Sequence, residues 1–446
     1  MQDIVERIHS IIGYSTIYTK DEIEQAASRL QIRYLQILKA PNDPLNFVNT
    51  LETAILKIKA EDAEMEGNRD LAQGLSNIFA HAKTATPPDG LSDGRILINR
   101  IGFTIHTPEL FNHYKNIFNI LGRDQFAVVL YDQALSLVPL LDDLHISYIS
   151  IHDIKLKKFV FKYLVSNHVI AQGDSGRWII QEIGLKNIRF MYALGKSRWN
   201  FSDWNCVYDL VLCFGPYQVK KLSFCENTKK LEIGYPRYDE FFKGNIDKDF
   251  WLKKLNCDPA KKTIVWLPTK GELSSVKAFS SIIAALTSQY NVVVKPHPLA
   301  LEEDVQDIEL LKQQNFNAVV DELIDNTNLF YVADYIFSDY GGTAFGAIYT
   351  DRNLVLLNLP EPENDQLTGI DSADIGLRQS IINVDPENGG GLTAILSDPK
   401  VWEDQMQIRE QLRNIYFAPY YGNAAEMTVS ILENLDNILG NKEWNL

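Results

Sequence analysis

The pattern of apolar and polar positions changes near residue 95, where helical periodicity gives way to short apolar runs that alternate with amphipathic segments. Before that point, Ile23, Ala27 and Leu30 recur at the spacing of one helix face. Thr19 and Glu22 ahead of them have the form of a capping box. We therefore expect helices over most of residues 1–83, followed by a linker rich in Pro and Gly up to residue 94.

Beyond residue 95, β-prone runs form two successive series. The first series of predicted strands covers 96–98, 126–131, 147–151, 168–171, 188–193, 209–214 and 231–233. The second series covers 263–267, 291–295, 318–320, 335–337 and 354–358. Predicted helices include 108–121, 135–144, 275–288, 302–314 and a tail over 402–439. This alternation is typical of parallel sheets covered by helices, so the predicted fold class is α/β with two doubly wound, Rossmann-like domains.

A chain of 446 residues is too long for one hydrophobic core. The pattern predicts a small helical N-terminal region with its linker at 1–94, a first Rossmann-like domain at 95–235 and a second at 236–446 with C-terminal helices. Two such domains in series form a cleft, and a cleft between domains is a common place for a ligand. The N-terminal helices form a candidate packing or homo-oligomerisation unit.

The composition narrows the class of protein. A net charge of −15 argues against a broad nucleic-acid-binding surface, so no nucleic acid is expected as a partner. The N-terminus lacks the form of a signal peptide, and no apolar run is long enough to span a membrane. We expect a cytoplasmic protein with at most peripheral contact to the inner face of the cell membrane. The four cysteines show no metal-binding spacing, and neither a metal nor a cofactor is indicated.

One turn stands out in the second series. A predicted strand ends at Phe337, and Gly341, Gly342 and Thr343 then open a helix. Glycines let backbone amides approach a ligand closely, and a helix N-terminus attracts phosphate. Two adjacent glycines by themselves can also serve the geometry of a turn alone.

Other polar residues follow the neighbouring strands of the same series. Thr269 and Lys270 follow the first strand, and Lys295 and His297 follow the second. In a parallel sheet these strand ends share one edge with the glycine turn. The arrangement suits a diphosphate, because amides and Thr343 would bind its oxygens while lysine or protonated histidine would neutralise charge on the leaving phosphate. Asp339 fits equally well as a ligand-binding residue and as a residue that holds the turn.

The first series carries fewer signals. An acceptor hydroxyl that acts as a nucleophile needs a base within hydrogen-bond reach. His106 and Asp174 are candidates for this base by their position after predicted strands. For each of them, a loop or surface role is the more common function of such a residue.

Five patches in the second half resemble, in order, motifs of the CDP-glycerol glycerophosphotransferase family. GYPRYD at 234–239 resembles the family's GYPRxD, and LPTK at 267–270 resembles its APTxR. VKPHP at 294–298 is similar to KxHP, and ADYIFSDYGGTAF at 333–345 is similar to ADxxISDYSSxxFD. A weaker patch, YGNAAE at 421–426, resembles the terminal DGxAS. As an ordered set these patches are far more specific than any one of them.

The resemblance implies a GT-B fold in which the C-terminal domain binds a nucleoside-diphosphate donor. It places His297 at the donor phosphates and the turn formed by Gly341, Gly342 and Thr343 at the pyrophosphate. The sequence also departs from the family. The counterpart of the WHG segment is YALGK at 192–196, which has no histidine, and Gly346 stands where the family has an acid.

The leading hypothesis is a transferase with Lys295 and His297 as catalytic residues on the donor side. It would move a glycerol-phosphate, polyol-phosphate or sugar unit from a nucleoside-diphosphate donor, with CDP-linked donors favoured, to a polyol, glycan or lipid-linked acceptor. Teichoic-acid-like or capsular polysaccharide synthesis is the expected setting. A UDP-sugar-dependent glycosyltransferase or 2-epimerase is one alternative. A non-catalytic nucleotide-binding protein is another, and the missing WHG histidine supports it.

Overall fold

The computed structural model describes residues 95–173, 177–320 and 324–440. Two parallel β-sheets follow one another along this part of the chain, and helices lie between successive strands. The α/β prediction with two doubly wound sheets is therefore confirmed. The predicted N-terminal helices and linker lie outside the described residues, and the three domain boundaries stay predictions.

The first sheet has seven parallel strands in the order β3-β2-β1-β4-β5-β6-β7. The strands are β1 (Ile96–Ile105), β2 (Phe126–Leu130), β3 (Tyr148–Ser150), β4 (Phe159–Ser166), β5 (Gly184–Phe190), β6 (Leu210–Cys213) and β7 (Lys229–Glu232). The chain winds outward from β1 to β3 and then returns to β4 beside β1. The loops after β1 and β4 therefore diverge and leave a crevice at the carboxyl ends of these two strands, called here the first crevice.

The second sheet repeats this order with six parallel strands, β10-β9-β8-β11-β12-β13. The strands are β8 (Thr263–Leu267), β9 (Asn291–Val294), β10 (Ala318–Val319), β11 (Tyr335–Ser338), β12 (Asn353–Leu357) and β13 (Asn383–Val384). The crevice of this second sheet lies between the carboxyl ends of β8 and β11 and is called here the second crevice. The parts of the chain that carry β1–β7 and β8–β13 are called the first and second units.

The helices cover both faces of the two sheets. The described α-helices are Phe111–Ile120, Val138–Asp143, Ile151–Leu156, Ile179–Ile183, Ser197–Asn200, Pro216–Lys221, Asp239–Lys243, Lys248–Lys254, Val276–Ala284, Ala300–Glu303, Val305–Lys312, Asn326–Val332, Gly342–Tyr349, Ala373–Gly376, Leu392–Ser397, Pro399–Tyr416, Ala424–Glu433 and Leu435–Leu439. Short 3-10 helices are Pro108–Leu110, Asp132–Leu137, Asp203–Val207, Pro236–Tyr238, Gly271–Leu273, Ala285–Ser288, Pro362–Asn364, Leu377–Gln379 and Pro386–Gly391. No helix in these described ranges is long and apolar enough to cross a lipid bilayer.

The predicted strands differ from the structure at two places. The prediction of a strand at 168–171 is wrong, because the strand is β4 at Phe159–Ser166 and the predicted segment is the loop after it. Ile170 in that loop has φ 68, a left-handed conformation that a regular strand does not contain. The short edge strand β13 was not predicted, since Asn383 and Val384 carry no strand periodicity.

Aromatic residues join the two units into one apolar core. The Tyr235 ring stacks on Phe214 at the end of β6, with ring centroids 3.9 Å apart. Tyr349 of the second unit packs against Phe417, with centroids 4.8 Å apart, and the Ala418 amide donates to the Phe214 carbonyl. The C-terminal helices thus pack back onto the first unit, and the helix Pro399–Tyr416 ends where this contact begins.

A buried guanidinium ties the units together beside this core. Arg237 donates from Nε to Asp325 in the second unit at 3.1 Å and from Nη2 to Glu109 in the first unit at 2.5 Å. Its Nη1 lies 3.1 Å from His113 Nε2. Burial alone would raise the pKa of Asp325, but Arg237 and Lys115 hold it well below its usual range. The motif at 234–239 therefore has a structural task at the junction of the two units.

Replacing Arg237 should destabilise the protein strongly. Arg237→Met leaves the buried Asp325 and half-buried Glu109 carboxylates without their shared cation, at an expected cost of about 3–5 kcal/mol in the free energy of unfolding. Urea denaturation measures this change. The matched control is Lys243→Met, which removes the partly exposed ion pair to Glu426 and should cost less than about 1 kcal/mol. Equal losses in the two variants would contradict the role assigned to Arg237.

Candidate active site

The glycine turn forms the floor of the second crevice. Gly341 has φ 146, a conformation that favours glycine, and the helix Gly342–Tyr349 begins directly after it. Gly341 is the N-cap, so Thr343 lies in the first helical turn, where its hydroxyl is 2.7 Å from Ser338 Oγ. The free amides of this first turn face the crevice where β11 ends, which is a geometry suited to an anion.

Asp339 holds two loops of the crevice in place. Its carboxylate accepts hydrogen bonds from the amides of Thr269, Ser275 and Tyr340 and from the Ser275 hydroxyl, all at 2.8–3.0 Å. Burial raises the pKa of Asp339 to about 6, although these hydrogen bonds act in the opposite direction. Its oxygens are occupied by protein donors that fix these loops, and contact of Asp339 with a ligand stays a prediction.

The same loops are fixed from a second side by a residue that was not predicted. The Arg378 guanidinium lies 3.6 Å from the centre of the Tyr340 ring and donates to the Asp339 carbonyl at 2.8 Å. It also donates to the side chain of Asn358, after β12, at 2.8 Å. Arg378 carries no recognisable sequence signal, because it reaches the turn from a 3-10 helix far along the chain.

Lys295 follows β9 and is buried, at 5% exposure. Its ammonium has no hydrogen-bond or ion-pair partner in the described part of the chain. Burial lowers the pKa of Lys295, and Glu109 and Asp325 act against this shift. A buried cation without a direct partner is costly unless something negative binds it, so Lys295 is a strong candidate for an anion contact.

His297 lies two residues further on, and its tautomer follows from its hydrogen bond. Nδ1 accepts from the Leu299 amide at 3.2 Å, so the neutral ring carries its proton on Nε2. Burial, and after it the charges of Lys196, Lys270 and Lys295, lower the pKa of His297 to about 4. The free ring is therefore a neutral donor at physiological pH, and not the protonated histidine that the sequence suggested.

The remaining predicted donor-side residues differ in their placement. Thr269 faces the turn: a methyl group on Gly341 would lie 3.8 Å from Thr269 Oγ1. Lys270, however, forms an ion pair with Glu303 at 2.5 Å and is partly exposed. Lys270 thus lowers the pKa of His297 while its own ammonium is paired with Glu303. Its role as a donor-binding residue stays a prediction.

The first unit closes this crevice from the opposite side. A methyl group on Gly342 would lie 3.9 Å from the Ala193 side chain, which belongs to the loop after β5. Lys196 in the same loop and Glu109 after β1 both influence the pKa of His297. The carboxyl edges of the two sheets therefore face each other. Glu109 was missed because only the tertiary structure brings it to this place.

One departure from the family motifs has a packing reason, and the loop that corresponds to WHG is tightly packed. In that loop, a methyl group on Gly195 would lie 2.6 Å from Asp374 Oδ2, so the loop docks tightly on the second unit. At Gly346, a side chain would meet the Tyr238 hydroxyl at 2.2 Å. The acid that the family carries there has no room beside Tyr238.

His106 is not in contact with the donor-side residues that the structure describes. It lies at the end of β1, with its Nε2 2.9 Å from Nε2 of His168. Asp174 lies outside the described residues. Both stay predictions as catalytic groups.

The architecture is that of GT-B transferases. The structure of the wall teichoic acid polymerase TagF superposes with a TM-score of 0.57 at 14% identity, over 88% of this chain and 99% of that one. A TagF variant soaked with CDPG gives 0.56 at 15% identity, over 84% and 99%. The S. aureus MnaA–UDP structure gives 0.54 at 12% identity, over 76% and 98%. At these identities the likeness defines the fold.

The sequence adds the class of enzyme. The model of the CDP-glycerol:poly(glycerophosphate) glycerophosphotransferase family matches residues 200–357, which contain four of the five motif patches. The resemblance to this family is therefore confirmed, and the chain is a CDP-glycerol glycerophosphotransferase-like enzyme. No curated protein matches the sequence of this chain.

Loss of the Asp339 charge should loosen the second crevice. Asp339→Asn turns one acceptor oxygen into a donor that faces backbone N–H groups, at an expected cost of about 2 kcal/mol in the free energy of unfolding. Hydrogen exchange should accelerate at the amides of Thr269, Ser275 and Tyr340. Asp334→Asn is the control, because Asp334 bonds to the Thr263 amide at the opposite edge of the same sheet. Unchanged exchange at the three amides would refute the positioning role.

Proposed function

We propose that the enzyme transfers a glycerol-phosphate, polyol-phosphate or sugar unit from a nucleoside-diphosphate donor to an acceptor hydroxyl, with CDP-linked donors favoured. The observation that carries the proposal is that Lys295 and His297 follow β9 while the amide-rich start of Gly342–Tyr349 follows β11, at the same carboxyl edge of the second sheet. The family match supports this reading. The setting proposed is the synthesis of teichoic-acid-like or other cell-surface polymers.

The donor diphosphate would lie against the glycine turn. Amides of the first helical turn and the Thr343 hydroxyl would bind its oxygens, with Lys295 as the buried counter-charge. Burial lowers the pKa of Lys295, Glu109 and Asp325 act against this shift, and bound phosphates would add to their effect. Thr269 would complete the wall of the site opposite Gly341.

His297 would act on the leaving phosphate. Its Nε2–H donates to a phosphate oxygen, and the negative charge of the diphosphate raises the pKa of the ring, so that the histidine takes up a proton. As the acceptor oxygen forms its new bond and the bond to the leaving phosphate breaks, charge grows on that phosphate and is stabilised by His297 and Lys295. Attack at phosphorus moves a glycerol-phosphate unit, and attack at an anomeric carbon moves a sugar.

The choice of a CDP-linked donor rests on the family, whose members use CDP-glycerol, and on the fold shared with TagF soaked with CDPG. A UDP-sugar-dependent glycosyltransferase or 2-epimerase is the second candidate, supported by the fold shared with the MnaA–UDP structure. A non-catalytic nucleotide-binding protein remains the third. A cytoplasmic location, peripheral membrane contact and oligomerisation stay predictions.

The first test is calorimetric titration of CDP, UDP, GDP and ADP. We expect CDP to bind most tightly, and His297→Ala to weaken it about tenfold through the loss of one charge-assisted hydrogen bond. His152→Ala, at the end of the first sheet, should leave the affinity unchanged. A preference for UDP would favour the second candidate. No binding by any of the four nucleotides would overturn the proposed donor site.

The affinity for CDP should depend on pH through His297. Its pKa is about 4 in the free protein and higher with the diphosphate bound, so the bound state holds more protons between these two values. Affinity should therefore rise as the pH falls from about 7 toward about 5, by up to about tenfold per pH unit. His297→Gln cannot take up this proton and corrects for the titration of CDP itself. Identical pH slopes in the two proteins would contradict the assignment.

A further inference from the structure

Two cysteines occupy matching positions ahead of the last two strands of the first sheet. Cys206 lies four residues before Leu210, where β6 begins, and Cys225 lies four residues before Lys229, where β7 begins. Leu210 and Lys229 are paired neighbours in the parallel sheet. Because the two strands enter the sheet side by side, the turns that precede them also lie side by side.

Hydrogen bonds hold these two turns next to each other. In the first turn the Tyr208 amide donates to the Asn205 carbonyl at 3.2 Å, and in the second the Thr228 amide donates to the Cys225 carbonyl at 3.2 Å. The Thr228 hydroxyl then donates across to the Tyr208 carbonyl at 2.9 Å. The two turns are therefore fixed in register by contacts that do not involve the thiols.

The two thiols meet between the turns. A side-chain hydrogen bond joins Cys206 and Cys225, and of these two residues Cys206 is exposed whereas Cys225 is buried. The other two cysteines, Cys213 and Cys257, are both buried, and each thiol donates to a backbone carbonyl. An accessible thiol in contact with a sheltered one is the arrangement in which the first can be oxidised and the second can resolve the oxidised form.

The surroundings of the pair set the order in which the thiols react. Burial raises the pKa of Cys225 to about 12, and its contact with Cys206 acts in the same direction. Lys230, whose ammonium donates to the Cys225 carbonyl, acts against this shift. Cys225 therefore stays a thiol at physiological pH, and the exposed Cys206 is the sulfur that an oxidant in solution reaches first.

The 3-10 helix Asp203–Val207, which carries Cys206, also supports the loop at 192–196. Asn205 donates from Nδ2 to the Asn200 carbonyl at 3.2 Å, and Asn200 donates from Nδ2 to the Gly195 carbonyl at 2.7 Å. A covalent bond at Cys206 would therefore restrain the helix that stands behind this loop, which docks on the second unit.

We propose that Cys206 and Cys225 form a reversible disulfide in response to hydroperoxides, and that this bond fixes the 3-10 helix Asp203–Val207 against the turn before β7. In the first step the Cys206 sulfur attacks a peroxide oxygen, the O–O bond breaks, and Cys206 becomes a sulfenic acid with release of water or an alcohol. In the second step the Cys225 sulfur attacks the Cys206 sulfur, the S–O bond breaks, and the Cys225 proton leaves with the hydroxyl group as water. The sulfurs are oxidised and the peroxide is reduced. A thiol reductant reverses the bond by exchange, because the Cys206 side is exposed to attack.

Treatment of the full chain with hydrogen peroxide, followed by alkylation in denaturant and peptide mass spectrometry, tests the pair directly. We expect the wild type to lose two of its four alkylatable thiols, to yield a peptide that links Cys206 to Cys225, and to recover both thiols with dithiothreitol. Cys206→Ser, a change at an exposed side chain, should slow the oxidation of Cys225 at least about tenfold. Cys225→Ala should leave Cys206 as a sulfenic acid that dimedone traps. Cys257→Ala is the matched control and should form the disulfide as the wild type does.

Hydrogen exchange on the same samples tests the structural effect of the bond. The amides of Tyr208 and Thr228 should exchange at least about threefold more slowly in the oxidised wild type than in the reduced one, since the bond restrains both turns. Peroxide should leave their exchange unchanged in Cys206→Ser. Equal oxidation of Cys225 in the wild type and in Cys206→Ser overturns the proposal, and so does oxidation of wild-type Cys206 to a sulfinic acid or to a bond between two chains without the linked peptide. A disulfide that forms without slowing exchange at the two amides overturns the fixing of the helix.

Discussion

The placement of the two units against each other depends on one buried cation, the Arg237 guanidinium, at their junction. Arg237 forms ion pairs with Glu109 of the first unit and with Asp325 of the second. Separation of the two units would therefore leave the charge of this buried guanidinium partly unpaired. The same network acts on Lys295, because Glu109 and Asp325 oppose the lowering of its pKa by burial. Structural cohesion and the electrostatics of the candidate site therefore have a common origin, and the motif at 234–239 is tied to the site without touching the donor.

The two crevices are alike in topology and differ in the side chains that follow their strands. Each lies where strand order reverses in a parallel sheet. In the second sheet, Lys295 and His297 follow β9, and the helix that begins at Gly342 follows β11. In the first sheet, His106 Nε2 lies 2.9 Å from His168 Nε2, and burial lowers the pKa of both rings. The repeated strand order therefore does not bring repeated side chains.

The departures from the family motifs concern packing as well as chemistry. Gly346 has lost the family's acid where Tyr238 fills the space, and Gly195 lets the loop without a histidine dock against Asp374. The glycine turn, Lys295 and His297 follow strands of the second sheet at its carboxyl edge, and their role as a donor site stays a prediction. The loop at 192–196 of the first unit has no histidine.

The sequence by itself determined the α/β architecture, most strand positions and the sheet edge at which the glycine turn, Lys295 and His297 lie. These follow from local periodicity and from the rule that carboxyl ends of parallel strands share one edge. Only the tertiary structure decided which partners each side chain has there. Asp339 accepts hydrogen bonds from backbone amides, Lys270 is paired with Glu303, and His106 Nε2 lies 2.9 Å from His168 Nε2. Such roles depend on partners far apart in the chain, and a side chain's protonation, burial and remaining hydrogen-bonding capacity exist only once those partners have been brought into contact.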